Sequence, residues 1–269
     1  MIITVESVGP KAAEAWLNAN KSNRRLRDGI VEKYAADMKS GRWTSCPEPI
    51  SFYDDGDVAD GQHRLFAIIE SDTEQIFPIC RGLKRVDGLN LNTGLSRTLV
   101  DNARISKTDD GLSKALISTA RAIEFGTISV GRTVSNGETL AIVAKHREAA
   151  AFACSEVRRK SLLCGTVVTG AVGRAYAAGV DHDKLRRFCD VLGCGLYNGD
   201  NETPAIAIRN YLLEKGAVLS SSGLWVDTFM KVQNAIRYFV DGRKLTVIKG
   251  VSEEAYPLVK QRAKPKKAA

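Results

Sequence analysis

The pentapeptide Asp60-Gly61-Gln62-His63-Arg64 groups a carboxylate, a glycine, an amide, an imidazole and a guanidinium at consecutive positions. Upstream lies a strand-like stretch, Pro49-Ile50-Ser51-Phe52-Tyr53, and then an acidic turn, Asp54-Asp55-Gly56-Asp57. Downstream, Leu65-Phe66-Ala67-Ile68-Ile69 predicts an apolar helix. A glycine between a strand and a helix start suits an anion, because the N–H groups of the first helical turn lack partners within the helix. The side chains suit phosphate too: Arg64 is a bidentate cation, His63 a switchable donor and Gln62 a neutral amide. The plain alternative is a capped helix start, with Asp60 as N-cap and solvated charges behind it. Three functional side chains packed into one strand-to-helix turn favour phosphate or nucleotide binding over that alternative.

The stretch from Asn23 to about Asn102 resembles the nucleotide-binding domain shared by ParB-type partition proteins and sulfiredoxins, in the DGQHR branch of phage and bacterial proteins. Three blocks carry the likeness: Asn20-Lys21-Ser22-Asn23-Arg24-Arg25-Leu26, then Met38-Lys39-Ser40-Gly41-Arg42-Trp43, then Asp60 to Arg64 with Leu65 and Ala67. A fourth, Asn92-Thr93-Gly94-Leu95-Ser96-Arg97-Thr98, resembles the family's Asp-x-Gly-x-x-Arg segment, with Asn92 where Asp is usual. The fold serves nucleotide hydrolysis, phosphoryl transfer and nucleotide-switched DNA binding, so the likeness does not select a reaction.

The resemblance implies that the Asp60–Arg64 loop holds nucleotide phosphates. Gly61 would let the backbone approach the ligand. Arg64 would clamp phosphate oxygens, His63 would donate to them or relay a proton, and Gln62 would orient a phosphate or a water. Asp60 would be a helix cap or a magnesium ligand. Asn23, Arg24 and Arg97 would approach the same site. ATP with Mg2+ is the implied cofactor set, and a basic cluster of this kind suffices for phosphoryl transfer by positioning and charge neutralisation. Sulfinic acid repair is not expected, because the sulfiredoxin branch places a catalytic cysteine in this loop and Asp60–Arg64 has none.

Composition sets the wider frame. With 269 residues the chain can bury a substantial core in two lobes. Its net charge of +8 favours acidic partners, DNA among them, as a field effect without sequence specificity. Part of that charge sits in the tail Lys260-Gln261-Arg262-Ala263-Lys264-Pro265-Lys266-Lys267, which has no apolar periodicity and reads as disordered. The start, Met1-Ile2-Ile3-Thr4-Val5-Glu6, lacks the pattern of a secretory signal, and no run reaches the length of a membrane span. A cytoplasmic protein is expected. The six cysteines, Cys46, Cys80, Cys154, Cys164, Cys189 and Cys194, read as reduced thiols, since Cys189, Cys194 and His182 do not complete a zinc set.

The elements that must position the motif follow from periodicity. Helices are expected over Pro10–Asn20 and Arg27–Ser40, the second stopped by Gly41. Strands are expected at Ile50–Tyr53, at Ile76–Cys80 and more weakly at Val86–Leu91. Pro78 suggests an edge or a distortion in the second of these. Beyond Thr108 the pattern is helical throughout: Leu112–Phe125, Thr139–Arg158, Val167–Ala178, Asp183–Leu192, Thr203–Lys215 and Leu224–Val240. Gly179, Gly193 and Gly216 read as stops. The Gly-rich turn Gly193–Asp200 lacks the Lys-Ser/Thr of a P-loop and reads as a connection.

The expected fold is therefore α+β: a ParB/sulfiredoxin-like α/β lobe over 1–105, a helical lobe over 106–255 and a basic tail over 256–269. The leading function is a nucleotide-binding enzyme, an ATPase or phosphotransferase, in DNA-linked metabolism such as phage DNA modification. The alternative is a ParB-like DNA-binding regulator with nucleotide as a switch or absent. Its DNA contact would come from basic faces at Lys184, Arg186 and Arg187 or at Arg158-Arg159-Lys160, with Ala178-Gly179-Val180 as the turn of a helix-turn-helix. A nuclease reading would use Asp54, Asp55, Asp57 and Asp60 as clustered carboxylates.

Overall fold

The computed structural model describes residues 1–19, 25–44, 47–86, 91, 98–105, 107, 109–128, 134–158, 163, 165–215 and 222–258. The chain is a mixed α/β protein that divides into two compact units, Met1–Leu99 with Thr133–Glu138, and Val100–Arg132 with Thr139–Ala269. The first boundary falls a few residues before the expected one at 105, and a short segment from beyond it returns to the first unit.

The first unit is a four-stranded sheet carrying three helices. Its elements are β1 (Ile2–Val8), α1 (Pro10–Asn18), α2 (Asp28–Lys39), β2 (Ile50–Tyr53), β3 (Val58–Asp60), α3 (Gln62–Ser71) and β4 (Gln75–Leu83). The strand order is β1-β4-β2-β3, with β1 and β4 antiparallel and β2 and β4 parallel. β1 and β3 are strands that helical periodicity and turn signals did not reveal. Of the expected edge or distortion, β4 shows no edge, since it runs inside the sheet, while its pairing with β2 carries a register shift between Ser51 and Tyr53. Pro78 is tolerated because pairing with β2 begins one residue later, at Ile50 opposite Ile79, so beside Pro78 only β1 is bonded. Val86 lies outside any strand, and most of the weaker Val86–Leu91 candidate falls outside the described residues.

One face of the sheet and the helices share a core of Val31, Ala35 and Met38 from α2, Leu65 and Ile68 from α3, and Phe52, Phe77 and Ile79 from the strands. The spacing of Val31, Ala35 and Met38 is what puts them on one helical stripe. Gly41, at φ 69°, stops α2 as expected. Trp16 meets Phe52 edge-on, with ring centroids 5.1 Å apart. Ser135 belongs to this unit through its hydroxyl, which donates to the buried Asp37 carboxylate at 2.6 Å.

At the sheet rim, Arg81 holds Glu6 through both carboxylate oxygens, at 2.5 and 2.9 Å. Hydrogen bonds from Arg81 and then Thr4 lower the Glu6 pKa from 4.5 to about 2.

The second unit is helical among its described residues. It contains α4 (Leu99–Ile105, mostly in this unit), α5 (Lys114–Phe125), α6 (Asn136–Arg158), α7 (Thr166–Ala177), α8 (His182–Cys194), α9 (Thr203–Lys215) and α10 (Ser222–Val240). The expected helices are present with small shifts. Gly193 lies inside α8, and the stop is Gly195 in the left-handed region at φ 77°. α7 is central and nearly all buried. A Cβ on Gly170 or Gly173 would overlap Ala122 or Ile123, so these small residues set how closely α7 approaches α5. α6 bends at His146 (φ −113°, ψ 16°), a buried imidazole hydrogen-bonded to Glu124.

Arg174 on α7 is the buried charge that closes this unit. Its Nε donates to the Ile123 carbonyl, Nη1 to Glu254 at 2.8 Å and to the Tyr256 carbonyl at 3.1 Å. Glu254 also accepts from the Thr127 N–H at 3.0 Å. The side chain thus ties the end of α5 to the segment after α10, which has no regular structure of its own.

Two outcomes follow. Arg174→Ala is expected to cost about 3–5 kcal/mol in urea unfolding, because it leaves Glu254 and two carbonyls buried without their donor. The Glu6–Arg81 pair stabilises fully above the ordinary carboxylate value and loses its effect as pH falls through about 2. The stability gap between wild type and Glu6→Gln should therefore narrow from pH 5 down to about 2, as read from urea midpoints.

Candidate phosphate site at the start of α3

The strand that delivers Gly61 is β3, a three-residue return strand of the β2–β3 hairpin, rather than β2 itself. Two carboxylates of the acidic turn between the two strands hold the hairpin. Asp55 accepts from the Asp57 N–H at 3.1 Å, and Asp57 accepts from the Val58 N–H at 3.0 Å. Arg85 bridges both carboxylates, at 2.6 and 2.9 Å, and lies over the Tyr53 ring. Hydrogen bonding from Arg85 pulls the Asp55 pKa below the usual carboxylate value. Two of the four carboxylates of the nuclease reading, Asp55 and Asp57, are therefore turn-forming groups paired with Arg85, and Asp60 is paired with Arg64.

Gly61 sits between β3 and α3 with φ 101° and ψ 4°. Only glycine adopts this conformation without strain. A Cβ there would stand 3.0–3.2 Å from atoms of Ile50, so the missing side chain faces β2. Packing of the helix start against the sheet demands glycine at this position.

The next three residues are all buried, at 9% (Gln62), 5% (His63) and 8% (Arg64) exposure. Arg64 turns toward the sheet. Nη1 donates to the Glu48 carbonyl at 2.5 Å, Nη2 to the Pro49 carbonyl at 2.9 Å and to Asp60 Oδ2 at 3.2 Å. Asp60, expected as a cap or a magnesium ligand, is thus ion-paired one turn along from itself, and α3 has no side-chain cap. His63 Nε2 accepts the Arg27 backbone N–H at 3.1 Å. An accepting Nε2 carries no proton, which assigns the neutral ring with its proton on Nδ1.

Gln62 differs from its neighbours. Its Oε1 is buried without a hydrogen-bond partner. A buried amide oxygen left unmatched costs about 1–3 kcal/mol, a state that Trp43 Nε1, Thr228 Oγ1 and Gln233 Nε2 share among the described residues. It lies on the first turn of α3, whose helical ladder starts with the Arg64 and Leu65 N–H bonds to the Gly61 carbonyl.

Among the sequence-identified residues, the structure brings Asp60, Gly61, Gln62, His63 and Arg64 to this junction. Asn23, Arg24 and Arg97 lie outside the described residues. Arg27, not singled out from the sequence, joins the site through its backbone; its place just after the basic turn at 23–25 was the available signal. Among the described residues no group of three or more His, Cys, Asp or Glu is arranged to hold a metal ion. Cys80, Cys154, Cys189 and Cys194 are unbridged.

The basic face of α8 is largely matched by carboxylates. Arg187 is held by Glu202 at 2.7 Å, and Arg186 by Asp183 at 2.7 Å. Asp181 caps the helix start that a helix-turn-helix would present to a base edge. No described helix is long and apolar enough to cross a membrane.

No family model matches the chain, and no curated protein and no solved structure matches it either.

The geometry of Arg64 generates a test without ligand. Arg64→Ala removes donors from two carbonyls and from Asp60, and charge-assisted bonds of this kind contribute about 1.5–3 kcal/mol each. A loss of at least about 2 kcal/mol in ligand-free urea unfolding is expected. A loss of about 0.5 kcal/mol, the size of an exposed i,i+4 pair, would show that these bonds do not hold the hairpin.

Proposed function

We propose that the first unit binds a nucleotide through its phosphates at the start of α3, and that the protein is a nucleotide-dependent enzyme, an ATPase or phosphotransferase, acting in DNA-linked metabolism. The observation that carries the binding reading is the unmatched, buried Gln62 amide beside an uncapped helix N-terminus. The first-turn N–H groups and the helix dipole favour an anion there. An amide assigned in the opposite orientation would present N–H to a phosphate oxygen, and in the present orientation Oε1 accepts from a hydroxyl of the ligand or a bridging water. The ParB/sulfiredoxin resemblance and the net charge of +8 support the nucleotide and the DNA connection.

The residues at the junction divide the work. Gln62 and the first-turn N–H groups bind and orient a phosphate. Gly61 and Arg64 keep that turn rigid against β2. His63, held through Nε2 by Arg27, positions the chain entering α2 against the same turn. A nucleoside triphosphate bound there would supply a transferable phosphoryl group; Asp60 would have to leave Arg64 to meet its divalent ion.

A second reading, nucleotide as a switch without turnover, is favoured by the engagement of Asp60 with Arg64 and of His63 Nε2 with Arg27. Neither group is held ready for proton transfer in that arrangement.

Gln62→Leu separates a ligand site from a structural one. Removing an unmatched polar atom should leave the ligand-free melting temperature unchanged or raised. The same change should weaken nucleotide affinity about tenfold or more in calorimetric titrations with a panel of nucleoside di- and triphosphates. Equal affinity in both proteins, or no binding of any member, removes the proposal; phosphate release with Mg2+ then decides between enzyme and switch.

A further inference from the structure

The largest concentration of exposed aliphatic side chains lies on the sheet edge opposite the hairpin. Ile2, Ile3 and Val5 of β1 are 70%, 60% and 73% exposed, and Ile76 of the adjoining strand is 59% exposed. Scattered exposed aliphatics are ordinary, but three of these share one face of a single strand pair. Ile3 and Val5 stand opposite Cys80 and Pro78, and Ile76 stands opposite Ser7, which places Ile3, Val5 and Ile76 on one face. The opposite face of the same strands carries Val8, Phe77 and Ile79 into the core.

The backbone of β1 adds an independent constraint. β1 is last in the sheet order, so among the described residues one of its edges meets no strand. It pairs with β4 over seven residues without a register shift. Natural edges are usually blunted by lysine, proline, a bulge or shortness. The other edge here obeys that rule, since β3 has three residues and its pairing carries a bulge. β1 does not: Ile2-Ile3-Thr4-Val5-Glu6-Ser7-Val8 has no lysine or proline, and its one charge is occupied by Arg81.

We propose that β1 pairs antiparallel with β1 of a second copy of this chain, joining two sheets into one through a two-fold axis at Thr4. An occupant of this edge must offer an extended strand, because only that satisfies the row of backbone groups. A second copy also matches the side chains. A two-fold axis perpendicular to the sheet keeps both helix layers on one side and sets Ile3 opposite the second copy's Val5, and Val5 opposite its Ile3. A shift by two residues in either direction loses both of these pairs. Ile3, Val5 and Ile76 are the exposed aliphatics of that face, with Ile2 on the other, and they fall well short of the ~800 Å² per partner of a standard interface. The dimer is accordingly concentration-dependent rather than permanent.

Sedimentation velocity of the full chain over about 1–300 μM tests this, alongside the Ile3→Lys/Val5→Lys double variant. Both positions are exposed, and an unchanged circular dichroism melt confirms that the variant folds. Wild type should move from monomer toward dimer, while the variant stays monomeric throughout. Thr4→Cys provides a second readout. Directly opposed strand residues have Cα atoms about 4.5–5.5 Å apart, within disulfide range, so mild oxidation should give a reducible dimer above the wild-type background. A wild type that is monomeric at every concentration overturns the proposal. A double variant that dimerises as well as wild type places the interface elsewhere and also overturns it.

Discussion

The buried guanidinium of Arg64 is the constraint on which the first unit depends. One side chain reaches the carbonyls of Glu48 and Pro49, where the chain enters β2, and the carboxylate of Asp60, where it leaves β3. These contacts fix the start of α3 against both strands of the hairpin. Gly61 completes the arrangement, because its left-handed backbone turns the chain and its absent Cβ lets Ile50 approach. An arginine bonded to main-chain carbonyls sets geometry without relying on the conformation of further side chains. The cost is that its charge is spent within the fold, leaving anion attraction at this junction to the helix start and the amide beside it.

That division explains why Gln62 stands out. Every other polar side chain at the junction has a partner: Asp60 with Arg64, His63 with Arg27, and the acidic turn with Arg85. Among the described residues Trp43 Nε1, Thr228 Oγ1 and Gln233 Nε2 are likewise buried without a partner, and Gln62 Oε1 is the one of the four that lies in the first turn of α3.

The second unit solves a different problem. Its helices pack by apolar stripes and by small residues on α7, while the segment after α10 has no regular structure to hold it in place. Arg174 and Glu254 provide that hold, with main-chain groups of Ile123, Thr127 and Tyr256 completing their hydrogen bonds. The ion pair is therefore embedded in polar contacts that offset its removal from water. Arg186 and Arg187 of α8, by contrast, are answered by the carboxylates of Asp183 and Glu202, so the formal charge of the chain overstates the field that this helix presents.

The helices and the strand–turn–helix order around the motif were legible in the sequence because they rest on local rules. Apolar residues at three- and four-residue spacing mark buried stripes such as Val31, Ala35 and Met38, and Gly41 marks a stop, whatever the rest of the chain does. The membership of the pentapeptide was legible for the same reason, since five consecutive residues travel together. What the tertiary structure alone decided is where each side chain points. β1 emerged as a strand because β4 pairs with it some seventy residues away, and β4 lies inside the sheet despite Pro78 because β2 begins one residue beyond it. Arg64 faces inward because its acceptors are carbonyls 15 and 16 residues earlier, brought close only by the hairpin. Periodicity records burial, which is a local average; hydrogen-bond partnership is a matter of distance between residues far apart in the chain, and only the folded backbone sets that distance.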